Sequence, residues 1–133
     1  MNWYWVISGI LMIVGGLMHT VVGEKNVISY LAKNKPTTGF SPDQTFNLIR
    51  WFWYLGSFIS FWVGGIALLI GAADGIIPEE NFIGRLLASL MFGFSIITFG
   101  AVAILNPKEL AKLSQVVILV VVTILLWLGA SVS

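Results

Sequence analysis

The chain contains no cysteine and, among its 133 residues, a single histidine, His19. Without a thiol there is no disulfide scaffold, no CxxC redox centre, no thiolate metal site and no cysteine nucleophile. With one imidazole there is no H-E-x-x-H and no histidine pair. The six acidic residues form no dense cluster, so one copy of the chain cannot complete a zinc or di-iron site. No G-x-S-x-G and no nucleotide-phosphate loop is present either. These absences argue against an enzyme and call for no cofactor and no metal. Charge is scarce as well: 10% of residues are charged, against about 25% in soluble domains. A net charge of +1 gives no reason to expect nucleic acid as a partner.

What remains is apolar. Hydrophobic residues make up 58% of the chain, and mean hydropathy is +0.95. Four uncharged stretches stand out, Met1 to Gly23, Trp51 to Ala73, Leu86 to Pro107 and Leu113 to Ser133. Each is near the roughly 20 residues an α-helix needs to cross the hydrocarbon core of a bilayer. The expected fold class is all-α: a polytopic membrane protein built as an antiparallel bundle of four transmembrane helices, one domain over residues 1–133. Its expected spans are about 3–23, 48–73, 83–105 and 112–130, with a loop at 24–44. The first stretch lacks a positive n-region and exceeds the usual signal-peptide core, so it is read as a retained span.

Four spans put the first and third loops on one side, and both termini with the second loop on the other. Lys25, Lys33, Lys35, Arg50, Lys108 and Lys112 fall on the first side and only Arg85 on the second. The excess of positive charge places the first and third loops in the cytoplasm and both termini outside, in a cell (inner) membrane. Aromatic residues mark the same boundaries, with Trp3, Tyr4, Trp5 and Trp127 expected at the outer interface and Trp51, Trp53 and Tyr54 at the inner one.

Local signals set the helix ends. Ser41-Pro42-Asp43-Gln44 offers an N-cap serine, proline at the first helical position and glutamine three residues on, so the second helix is expected to begin near Pro42. Asn106-Pro107-Lys108-Glu109 repeats the arrangement before the fourth helix. Near Pro78 the turn is short, and the second and third helices are expected to form an antiparallel hairpin. The segment Asn26 to Lys33 mixes apolar and polar residues as a short interfacial helix would.

Small residues fall on helix faces. Gly16, His19, Thr20 and Gly23 share one side of the first helix, Gly56, Ser60 and Gly64 form a second stripe, and Gly84 with Ala88 begins a third. In lipid, such stripes let backbones approach closely and so pack helices together. His19 lies about a turn inside the cytoplasmic end of its span, with Glu24 at the boundary and Arg50 at the same level of the next helix. His19, Glu24, Arg50 and Thr20 are therefore the candidate polar cluster. It is either a hydrogen-bonded lock between helices or a site for an anionic headgroup, a quinone or a proton.

The string Gly16-Leu17-Met18-His19, continuing to Gly23-Glu24, gives the pattern G-x-x-H-x-x-x-G-E, which resembles the first helix of uncharacterised small bacterial four-helix integral membrane proteins. The resemblance implies a four-helix bundle with its first loop at the His19 end, and no activity. The favoured expectation is an accessory or self-associating structural subunit in contact with membrane lipids, as a homo-oligomer or within a larger membrane complex. Two alternatives stay open: a binding or transport module for a hydrophobic or anionic membrane-resident ligand, and a membrane enzyme using His19.

Overall fold

Asparagine at position 2 starts the first helix: its side chain accepts a hydrogen bond from the Trp5 amide, and α1 runs from Trp3 to Gly23. No helix breaker follows it, and the helix does not stop at Glu24. One wide π-helical turn, Glu24–Ile28, passes directly into α2, Ser29–Lys33. Residues 24–33, read from the sequence as a loop with a short interfacial helix over Asn26 to Lys33, are thus helical but continuous with α1, extending the first helix to 31 residues, about 46 Å at 1.5 Å per residue. That exceeds the ~30 Å hydrocarbon core and carries Glu24, Lys25 and Lys33 into headgroup depth. α3 spans Pro42–Ala72 and begins with the capping box written in its sequence: Ser41 Oγ accepts from the Gln44 amide at 3.3 Å, and Gln44 Oε1 accepts from the Ser41 amide at 3.3 Å. α4 is Glu80–Leu105 and α5 is Ser114–Val132.

This computed structural model describes residues 1–37, 39–105 and 114–132. The Asn106-Pro107-Lys108-Glu109 cap, Lys112 and the first residues of the fourth expected span lie outside them. The molecule is an all-α bundle of four long helical segments, three of them long and apolar enough to cross a membrane: 3–33, 42–72 and 80–101. The fourth, as described, offers 17 apolar residues, Val116–Val132.

α1 is the central helix. It packs against α3 on one side and α5 on the other, and α4 packs chiefly on α5. α3 and α4 touch only sparsely, so α4 finds its main packing partner in α5 and not in the helix that precedes it. The reason is Trp5. Its ring is completely buried, and Gly84 of α4 and Gly129 of α5 lie so close that an added Cβ would fall 2.7 and 2.4 Å from it. α4 is thus held at the Trp5 edge of α1 and against α5. Trp5 Nε1 donates to the Leu126 carbonyl at 3.2 Å, and Asn2 Nδ2 donates to the Gly129 carbonyl at 2.9 Å. Trp5 is therefore a core residue and not the interfacial anchor its position suggested, whereas Trp3 is 61% exposed.

α1 meets α3 along a row of small residues. Asn2 N donates to Gly71 O at 2.9 Å. A Cβ on Gly64 would lie 2.9 Å from Gly9 O, and one on Gly16 would lie 3.0 Å from Ser60 Cβ. One on Gly23 would enter the Trp53 ring. Residue numbers rise along α1 as they fall along α3. On α1 the contacts recur every seventh position, Asn2, Gly9, Gly16 and Gly23, which keeps them on one face.

The clustered apolar core among the described residues is confined to one half of the bundle, and Ile28, 2% exposed, is buried apart from it. The cluster comprises Trp5 and Met12, Val63, Ala67 and Ile70, Leu87, Ala88 and Met91, and Val122, Leu126 and Ala130. Beyond Ser95 in α4, and before Val122 in α5, no described residue is buried. The four helices close around Trp5, and in the opposite half, where His19 lies, no core common to all four is formed among the described residues.

Candidate functional site

His19 sits on the α1 face that meets α3, and the π turn after it begins at Glu24. Its imidazole lies flat on the Trp53 indole, with ring centroids 4.2 Å apart and planes 9° from parallel. Trp53 is held in turn by Nε1 donating to the His19 carbonyl at 3.1 Å. Gly23 makes room for that indole, because a Cβ there would lie 2.2 Å from it. On the other side of the contact, Ser57 Oγ is 2.9 Å from His19 Nδ1. Gly56 leaves open the ring edge carrying Cε1 and Nε2, at 3.4 and 3.9 Å from a hypothetical Cβ. Trp53 is therefore part of the histidine's setting, where a lipid-facing anchor was expected.

Glu24 and Arg50 do meet, but in a separate group. Arg50 Nη2 donates to Glu24 Oε1 at 3.2 Å, the Tyr54 hydroxyl donates to Glu24 Oε2 at 2.5 Å, and the guanidinium lies 5.6 Å from the Tyr54 ring centre. No hydrogen bond joins this group to His19 among the described residues. Thr20 belongs to neither group, since its hydroxyl donates to Gly16 O within its own helix at 2.8 Å. The expected four-residue cluster thus resolves into two adjoining groups along α3, one organised by Trp53 and Ser57 and one by Arg50 and Tyr54. Sequence reading missed Ser57, Trp53 and Tyr54 as partners. The usable signal was spacing, since Arg50, Trp53, Tyr54 and Ser57 are three and four apart and share one side of a helix.

The side chains of Glu24 and Arg50 are 43% and 45% exposed. Exposed ion pairs contribute little, because solvent screens them and ordering two long side chains opposes them. Arg50→Ala is accordingly expected to leave the unfolding midpoint in lipid unchanged. A clear fall in that midpoint would mean that the pair locks the helices. A recess of about 460 Å³ opens beside Arg50, lined by Asn47, Trp51 and Tyr54. A second, wholly different groove of about 540 Å³ runs between α4 and α5, lined by apolar side chains such as Phe92, Phe99 and Trp127. The hydroxyls that reach it, Ser95 and Thr123, are spent on their own helices.

The remaining sequence candidates are packing positions in this geometry. Gly16, Gly64 and Ser60 stand at the α1 and α3 contact, Gly84 stands against Trp5, and Ala88 is fully buried. Among the described residues no three His, Cys, Asp or Glu side chains stand together as a metal site would require. Comparison with family models, curated proteins and solved structures returns no match, so the geometry alone carries the functional argument.

Proposed function

We propose that this chain is a membrane-embedded interaction subunit, an antiparallel four-span bundle whose Trp5 half holds itself together and whose His19 half is completed by another protein in the membrane. The single observation that carries this is the placement of the core: all eleven clustered apolar core residues lie in one half. The other half of α4 turns Ile97, Phe99 and Ile104 outward at 70%, 53% and 82% exposure. Between helices in lipid, packing and hydrogen bonds drive association, so a half in which α4 and α5 bury none of their described side chains gains by receiving another helix. A second copy of the chain or an accessory relationship to a larger complex meets this need. The excess of lysine and arginine on the first and third loops favours an orientation with the open half toward the cytoplasm and both termini outside, in a cell membrane of bacterial inner-membrane type.

The absence of native cysteine makes the test clean. Single cysteines at Phe99 or Ile104 in the open half, and at Ile10 or Leu69 in the closed half, are cross-linked in native membranes. Specific adducts are expected from the open-half positions only. Equal labelling of both halves, or adducts from neither, would sink the proposal.

A further inference from the structure

The hydrogen-bond arrangement around His19 fixes its tautomer. Ser57 is buried, with 4% of its surface exposed, and its hydroxyl makes one hydrogen bond, the one to His19 Nδ1. Other hydroxyls of these helices, Thr20, Ser60, Ser89 and Ser95, donate to the carbonyl four residues back. Ser57 does not. A buried hydroxyl proton needs an acceptor, and the lone pair of Nδ1 is the one within reach. Ser57 therefore donates to Nδ1, and the ring proton resides on Nε2.

Nε2 has no protein partner, and it is not among the buried polar atoms left unsatisfied. It therefore reaches the surface of the bundle. Trp53 stacks on one face of the ring, Ser57 holds one nitrogen, and Gly56 leaves the Nε2 edge uncovered. The product is a neutral N–H donor, fixed in direction, about a turn inside the headgroup level set by Glu24 and Arg50. A donor at that depth meets few water molecules, and an unsatisfied polar group there is unfavourable.

We propose that His19 Nε2–H is a binding site for the carbonyl oxygen of a membrane-resident amphiphile. Two sources share that chemistry, the ester carbonyl of a glycerolipid and the ring carbonyl of a quinone. A carbonyl matches the site because it accepts without donating and needs no counter-charge from a neutral imidazole. Arg50, on the helix facing His19, is already engaged by Glu24 and Tyr54, so a neutral acceptor fits better than an anion. This site is independent of the open-half interface and stands or falls separately from it.

Because His19 is the only histidine, ¹⁵N-histidine labelling reports on this ring alone. The full chain is placed in nanodiscs of diester lipid, of diether lipid lacking carbonyls, and of diether lipid titrated with a long-chain benzoquinone. The nitrogen spectrum is expected to show the Nε2–H tautomer in all three. The Nε2 resonance should differ between diester and diether if the lipid ester is the partner, or shift saturably, one quinone per chain, if the quinone is. Gly56→Val, which covers the Nε2 edge while leaving Ser57 in place, should abolish either response and keep the tautomer. An Nδ1–H tautomer, or an Nε2 signal indifferent to ester, ether and quinone, would overturn the proposal.

Discussion

Trp5→Ala is expected to be the most damaging single truncation in the chain, lowering stability by about 3–5 kcal/mol, the range for emptying a large aromatic site. The ring is fully buried and touches α4 and α5 from its seat on α1. Lipid cannot enter a sealed site of that shape, so the lost contacts are not replaced, and the Leu126 carbonyl also loses the indole N–H. Gly129→Ala should be damaging for the opposite reason, because its Cβ would fall 2.4 Å from the indole. Combining the two should be less harmful than their sum, since the cavity left by Trp5 accommodates the added methyl. Reversible unfolding in mixed detergent and lipid measures all three variants. Strict additivity would show that Trp5 and Gly129 do not share a site.

Gly64→Ala is the second large effect, for a substitution of one methyl group. Its Cβ would lie 2.8 Å from Ile13 Cγ1 and 2.9 Å from the Gly9 carbonyl oxygen, and backbone cannot rotate away as a side chain can. The two helices must separate, and overpacking of this kind typically costs about 1–3 kcal/mol. Gly65→Ala is the control. It lies in the same helix, with nothing within 4 Å of its Cβ, and alanine is the better helix former by up to about 1 kcal/mol in water. It should leave stability unchanged or raise it. If both variants lost stability equally, close contact between α1 and α3 at Gly9 and Gly64 would not be what holds the pair.

Periodicity and hydropathy made the helices legible, because a span is recognised by length and lack of charge. Ser41-Pro42-Asp43-Gln44 was legible because a cap is local chemistry. The helical run through Glu24 was not, since charged residues at headgroup depth look like a loop when helix continuity is judged by hydropathy. Trp5 was misplaced for a related reason: a tryptophan near a membrane boundary resembles an anchor, and only its neighbours Gly84 and Gly129, distant in sequence, show that it is a core residue. Gly9 and Gly71 could have been found from the seven-residue spacing that links Asn2, Gly9, Gly16 and Gly23, and Gly64 with Gly71. At the candidate site, residue types pointed to His19, Glu24 and Arg50 together. Splitting them required knowing that Ser57 and Trp53 occupy the α3 surface facing His19.

The central claim is that the bundle is closed around Trp5 and open around His19, and a spin-label scan along α4 tests it most directly. Labels are placed singly from Leu86 to Ala101 in nanodiscs holding one copy each, and their collision rate with dissolved oxygen is recorded. A closed half must show protected positions recurring with the helical period, at Leu87, Ala88, Met91 and Ser95, all of which are buried. From Ile96 onward the rate should not fall to those minima at any position, since Ile96, Ile97, Phe99 and Ala101 are exposed and Thr98 and Gly100 only half-buried. An oscillation of equal depth continuing through Ala101 would contradict the account, because α4 would then be covered along its whole length by its own chain.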